Sequence, residues 1–218
     1  MTQAQNGKTF RNYIGGQWLD ASNGAVTPNL NPANTQRTLG TFPSATRADA
    51  QNAIQAAHDA FVAWSRTPMP KRGEILNRAA NWMDARLDEI GEALTREEGK
   101  TFAEARGEVA RGVSILRYFA GQCLEPTGDV YPSASASTLL FAERVPLGVV
   151  GLITPWNFPA AIPAWKMAPA LAYGNTVVFK PAEITPLTAW YIVSAFEQAG
   201  LPPGVLNLVV GRGSHAGQ

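Results

Sequence analysis

The sequence predicts an α/β fold in which a mainly helical layer precedes a parallel β-sheet, and three observations predict it. First, Gly148 to Ile153, Thr176 to Phe179 and Val205 to Val210 are short apolar runs rich in β-branched residues, the pattern of parallel strands covered on both faces. Second, the apolar stretches between them, Ala160 to Tyr173 and Leu187 to Ala199, stop at Gly174-Asn175 and Gly200, as crossover helices closed by C-cap glycines do. Third, apolar residues recur at helical spacing from Thr46 to Cys123. The resulting β-α-β-α-β order is one half of a doubly wound, Rossmann-type sheet.

Taken from the start, NYIGGQWL at 12–19 places Gly15-Gly16 between two β-prone runs, a two-residue hairpin signal. The polar and Pro-rich stretch from Ser22 to Pro43 reads as extended strand and loop. Thr46 with Asp49 forms a capping-box pattern, and Ala50, Ala53, Ile54, Ala57, Phe61 and Trp64 fall on one helical face. His58 borders that face without a ligand-spaced partner, which argues against a metal role. Pro70 suits a first helical turn, and Ile75, Leu76, Ala79, Trp82, Met83, Leu87, Ile90 and Leu94 continue the spacing to Gly99, with room for a break at Leu87 to Ile90. A further helix is expected from Phe102 to about Cys123, buried through Val109, Val113 and Leu116, with Glu104, Arg106, Glu108 and Arg111 as its solvated face. Cys123 reads as a structural thiol. Gly128 to Ser137 is loop, and Thr138 to Val145 is an amphipathic strand outside the helical layer. The expected divisions are 1–45 (hairpin and extended segment), 46–125 (helical layer), 126–147 (loop and strand) and 148–218 (half-sheet). Pro169 is expected to bend its helix, and Thr185-Pro186 supplies an N-cap and first-turn proline to the next.

The 218 residues suffice for a real core, with 45% hydrophobic and 16% charged residues. A formal charge of +1 gives no global field for nucleic acid or an anionic membrane. No apolar run approaches the roughly 18 residues that span a bilayer. The start, MTQAQNGKTF, lacks a signal-peptide core, and one cysteine makes no intrachain disulfide, so the cytoplasm is the expected compartment.

Because crossovers are right-handed and parallel strands end on one edge, the loops after Ile153, Phe179 and Val210 are expected to share a rim. They carry Thr154 and Asn157, then Lys180 and Glu183, then Gly211, Gly213 and Ser214. A ligand site there is the expectation, with ordinary connecting loops as the alternative. Gly211 to Ala216 spells G-x-G-x-x-A, but after the third strand rather than the first, so it is no dinucleotide fingerprint. His215 reads as a solvent-facing turn residue.

At these residues the chain resembles the aldehyde dehydrogenase superfamily. TPWNFP, KPAE and the intervening PAWKMAPALAYGN carry the resemblance, which extends to IGGQW and GLPPGVLNLV and covers essentially the whole chain. Within the superfamily the spelling is most similar to 2,5-dioxopentanoate (α-ketoglutaric semialdehyde) dehydrogenases. The resemblance implies an aldehyde dehydrogenase-like fold, a small-molecule aldehyde as substrate, NAD as cofactor with NADP as the alternative, and a homodimer or tetramer formed through the 138–145 strand. It implies Asn157 as an oxyanion donor, and Ile153, Thr154, Pro155, Trp156, Lys180, Glu183, Gly213 and Gly217 as cofactor-binding residues. Lys180 and Glu183 would meet the adenosine ribose. Phe158 and Trp165 would line the aldehyde channel and Lys166 would sit near it. Family members are more than twice as long, so the nucleophilic cysteine, the glutamate that activates water and the rest of the cofactor sheet are expected beyond Gln218, and the chain alone is expected to be inactive.

Alternatives from the residues themselves remain: Asn157 bonding its own loop, Lys180 and Glu183 as a surface ion pair, and Phe158 and Trp165 as core packing. At the level of the whole chain the alternative is a non-catalytic nucleotide-binding or assembly module. A short-chain or medium-chain alcohol dehydrogenase is disfavoured by the missing first-strand fingerprint and zinc-ligand cluster.

Overall fold

The computed structural model describes residues 7–217; Met1 to Asn6, which make up most of the polar start, and Gln218 lie outside the described residues. Two hairpins come first, β1 (Asn12–Ile14) with β2 (Gln17–Leu19) and β3 (Val26–Asn31) with β4 (Asn34–Pro43). The helices α1 (Arg47–Ser65), α2 (Met69–Asp84), α3 (Leu87–Glu98) and α4 (Phe102–Gln122) follow. A stub of β5 (Val130–Tyr131) and β6 (Leu140–Phe141) leads to β7 (Val149–Ile153), α5 (Ala161–Ala172), β8 (Thr176–Lys180), α6 (Pro186–Gln198), β9 (Leu206–Leu208) and the short α7 (Gly213–Ala216).

The main sheet runs β2-β1-β9-β8-β7, with β7, β8 and β9 mutually parallel as expected. Gly15 and Gly16 both have positive φ (+60° and +84°), which a two-residue turn of the I′ kind requires, and Ile14 pairs with Gln17 across it. What the local pattern did not reveal is that β1 lies antiparallel beside β9, so the first hairpin extends the parallel sheet. Two fully buried asparagines join them. Asn207 Oδ1 accepts from Gly15 N (2.9 Å), and Asn12 Oδ1 accepts from Val210 N (2.8 Å).

Helix ends follow the expected chemistry in part. Thr46 and Asp49 form the predicted capping box, and Thr101 with Glu104 forms a second one. Gly174 closes α5 in a Schellman arrangement, Asn175 N bonding Ala170 O (2.9 Å) and Gly174 N bonding Leu171 O (3.1 Å). α5 runs on through Pro169. The periodic run from Pro70 to Gly99 is two helices, broken at Ala85–Arg86 where Ala85 N closes the last turn of α2 on Asn81 O.

Several expectations are corrected. Ser22 to Pro43 is extended strand and loop as expected, but its strands pair as the β3–β4 antiparallel hairpin, with a register irregularity at Leu30, a pairing that its polar residues hide. Ile54 faces solvent, one position off the stripe of Ala53 and Ala57. β7 is not covered on both faces, since Leu152 is buried while Ile153 on the other face is 69% exposed; among the described residues β8 is its one neighbour in the sheet. Of Thr138 to Val145 only Leu140–Phe141 is strand, because its partner β5 is two residues long. Thr185 occupies the N-cap position of α6 but its side chain makes no capping bond. Glu108 is buried, not solvated.

The last two corrections share a cause. Glu97, at the end of α3, accepts from Leu187 N (2.5 Å), Thr188 N (2.9 Å), Thr188 Oγ1 (2.7 Å) and Asn29 Nδ2 (2.6 Å). Glu108, on α4, accepts from Ala160 N (2.7 Å) and Ala161 N (3.1 Å). Each carboxylate thus caps the N-terminus of a crossover helix from the helical layer, meeting orphan N–H groups and the positive end of the helix dipole.

Complete burial pushes the Glu97 carboxyl up to about 7, against the opposing hydrogen bonds from Thr188, Leu187 and Asn29. Since its folded value lies above the ordinary 4.5, the stability it contributes is full below about pH 4.5 and is lost as pH rises through about 7. The expected loss is on the order of 3 kcal/mol. Thermal denaturation from pH 4 to 8 should show it, and Glu97→Gln should flatten that segment of the profile.

Candidate functional site

The register of the parallel strands sets the rim. Ile153 is level with Lys180 and Phe179 with Leu208, so the following loops leave from one edge. Thr154 N bonds Lys180 O (3.3 Å) and Val209 N bonds Phe179 O (2.9 Å), continuing the ladder into the loops. A cleft of about 460 Å³ opens there, lined by Trp156 from the first loop, Glu183 and Ile184 from the second, and Gly211 and Arg212 from the third. The three rim loops therefore face one space. A further wall was not foreseen: Thr27 to Leu30 of β3, with Glu97 and Glu98, closes the side away from the sheet.

Within the first loop Thr154 is buried, whereas Pro155, Trp156, Asn157 and Phe158 are exposed. The Asn157 side-chain amide makes no hydrogen bond among the described residues; its backbone oxygen accepts from Lys100 Nζ (2.9 Å). The alternative of Asn157 serving its own loop is thus not what this structure shows. Lys180 is half-buried and its ammonium donates to Pro181 O (3.0 Å) rather than pairing with Glu183. Burial lowers the Lys180 pKa, and the Glu183 charge partly offsets that.

A second cleft of about 510 Å³ adjoins α4 and the start of α5. Phe158, Trp165, Lys100, Glu108 and Arg111 line it. Phe158 and Trp165 are 48% and 47% exposed, so they are walls of this cleft rather than core. The Lys100 ammonium sits 4.6 Å from the Phe158 ring centroid, and Arg111 lies 5.8 Å from that of Trp165. Lys166 is exposed and lines neither cleft.

Gly213 opens α7 with no atom within 4 Å of where a Cβ would stand, whereas a Cβ at Gly217 would meet Gly213 O at 2.7 Å. His215 is exposed, as expected. Cys123 is buried near Ala172, at the opposite end of α5 from the rim, and burial pushes its thiol up. Sequence reasoning missed Glu97, Glu98 and Lys100 and misplaced Glu108, whereas Arg111 is exposed as expected. The one local signal was the acidic pair ahead of Gly99, where a helix C-terminus favours bases instead.

A parallel β7-β8-β9 core with its loops converging on an edge cleft has the form of half of a doubly wound α/β sheet. Residues 18–218 match the aldehyde dehydrogenase family, and the chain belongs to that family. It is 50% identical over 210 residues to the alpha-ketoglutaric semialdehyde dehydrogenase of Bacillus subtilis, a match covering 96% of this chain and 43% of that protein. The 2,5-dioxopentanoate dehydrogenase of Saccharolobus solfataricus is 45% identical over 201 residues, covering 92% and 42%. Among solved structures, betaine aldehyde dehydrogenase from Staphylococcus aureus in complex with NAD+ superposes with a TM-score of 0.91 at 35% identity, covering 95% of this chain and 41% of that one. The chain thus spans less than half the length of these relatives.

The Lys180–Glu183 coupling can be measured directly. Glu183→Gln should lower the Lys180 pKa further, because it removes the charge that partly offsets burial. Side-chain ammonium NMR across a pH titration reads this, and an unmoved Lys180 would show that the two groups do not interact.

Proposed function

We propose that these residues form the NAD-binding portion of an enzyme that oxidises an aldehyde to a carboxylic acid, with a semialdehyde such as 2,5-dioxopentanoate as substrate and NADP as the alternative cofactor. The observation that carries the reading is the unengaged Asn157 amide on the same rim as Lys180 and Glu183, between the two clefts' exposed aromatics Trp156 and Phe158. The names of the semialdehyde-oxidising relatives support the substrate class.

The rim suits an adenosine. Exposed Ile153, Pro155, Trp156 and Ile184 offer apolar surface to a planar base, and Lys180 and Glu183 offer a donor and an acceptor to ribose hydroxyls. Gly213 and Gly217 let the third loop approach closely. When bound, NAD supplies an acceptor for the hydride that leaves the aldehyde carbon. Asn157 donates its side-chain N–H to the oxygen that becomes negative as a thiolate attacks the carbonyl, a charge that a preorganised donor stabilises. Phe158 and Trp165 exclude water from the approach of the aldehyde, with Lys166 outside them. The buried Cys123 has no part in this chemistry, and the reading assigns the nucleophile and the glutamate that activates water to residues not among these 218. The exposed β5–β6 stub, with Leu139, Phe141, Val145 and Leu147 open to solvent, is the surface through which a second copy would pair. Among the described residues no helix is long and apolar enough to cross a membrane, and the cytoplasm is the compartment proposed.

In the longer enzyme, Asn157→Ala should lower kcat by ~10² to 10³, the usual loss of one oxyanion donor. Stopped-flow measurement of the hydride-transfer step makes the comparison on chemistry itself, and an unchanged rate would sink the assignment.

Cofactor choice follows from Glu183. A carboxylate accepts the 2′-hydroxyl of NAD and repels a 2′-phosphate carrying about −2 charge. Glu183→Gln should raise NADP use relative to NAD, approaching tenfold for each ~1.4 kcal/mol of repulsion relieved. The ratio of kcat/KM values for the two cofactors before and after substitution decides it.

A further inference from the structure

We propose that Lys100 and Glu108 are positioning residues for Asn157. The loop between β7 and α5 is held at its start by Thr154 N bonding Lys180 O, and at its end by Ala160 N and Ala161 N bonding Glu108 Oε1 at 2.7 and 3.1 Å. Between those anchors, Asn157 O accepts from Lys100 Nζ at 2.9 Å. The same ammonium bonds Glu108 Oε2 at 2.5 Å and lies 3.7 Å from Glu98. One carboxylate on α4, acting through one ammonium, thus holds the Asn157 peptide and the first turn of α5 in a single frame.

The chemistry of the frame explains why charged residues stand where apolar ones would also pack. The side chains of Lys100 and Glu108 are 13% and 3% exposed, and a buried ion pair adds little net stability over a well-packed apolar pair. Its directional bonds do fix a register, and among the described residues Pro155, Trp156 and Asn157 have no other hydrogen bond than the one from Lys100. Pro155 has no N–H to give, and Asn157's own side chain makes no hydrogen bond that would lock it. An amide that must meet a developing oxyanion depends on where its backbone is held, since a 1 Å displacement of a catalytic group costs up to about 10²-fold in rate. Lys100 is further confined by the Phe158 face 4.6 Å away, so the residue after Asn157 is held by the same cation. The proposal rests on the reading of Asn157 as an oxyanion donor.

The test is a double-mutant cycle in the longer enzyme, with kcat measured at saturating aldehyde and cofactor. Lys100→Met should lower kcat by about 10- to 100-fold with the KM for NAD little changed, and Lys100→Arg should restore part of the loss. In the Asn157→Ala background, Lys100→Met should lower kcat by less than about twofold, since its effect passes through a group already removed. Because a buried carboxylate stripped of its cation destabilises the fold, the neutral pair Lys100→Met with Glu108→Gln is measured alongside, with thermal denaturation of every variant. A folded neutral pair with wild-type kcat overturns the proposal, as does a Lys100→Met loss that persists in full without Asn157. An Asn157→Ala enzyme with unchanged kcat instead overturns the oxyanion assignment, and this proposal with it.

Discussion

Two buried carboxylates hold the helical layer to the sheet, and the positions of the rim loops depend on them. The crossover helices α5 and α6 begin without caps of their own: Ala160 has no side-chain acceptor, Pro186 has no N–H, and the Thr185 side chain makes no capping bond. Their orphan N–H groups are met instead by Glu108 and Glu97, which arrive from α4 and α3. A buried carboxylate is expensive unless it is fully bonded, and here each finds its donors only if the two layers dock in one way. The loops that carry Asn157 and Glu183 lie immediately ahead of those two helix starts, so the same bonds that dock the layers also place the rim.

The rim itself comes from β geometry. Parallel pairing makes the ends of β7, β8 and β9 level, and the ladder continues through Thr154 N and Val209 N into the first and third loops. Gly211 permits the third loop to pack against Ala45, where a Cβ would meet backbone atoms at 3.0 Å. Ala45 N in turn bonds Val210 O (2.9 Å), tying that loop to the start of α1. The β3–β4 hairpin then closes the cleft from outside, anchored by Asn29 on Glu97. A single carboxylate therefore caps a helix, holds a hairpin and lines the cleft.

Large apolar side chains stand open to solvent at the edge of the sheet and around the β5–β6 stub. Ile153 at 69%, Leu147 at 94% and Leu139 at 72% are large apolar side chains open to solvent. They lie on β7, on the approach to it and beside the β5–β6 stub. The relatives are more than twice as long as this chain, and an open strand edge is a surface that pairs readily.

The sequence by itself determined the element types and their order, because these depend on neighbours a few residues apart. The three parallel strands, the glycine stops at Gly174 and Gly200, the Gly15-Gly16 turn, the Thr46–Asp49 capping box and the rim positions of Asn157, Lys180 and Glu183 were all legible from spacing and residue type, and TPWNFP with KPAE carried the family. Tertiary structure decided what lies far apart in the chain. That β1 joins β9 is set by Asn12 and Asn207, nearly two hundred residues distant from each other. That Glu108 is buried while Arg111 three residues on is exposed depends on where α5 docks, since a charged helical residue is solvated unless another element brings it donors. The same holds for Glu97: four hydrogen bonds from β3 and α6 make its burial tolerable, and nothing within α3 announces them.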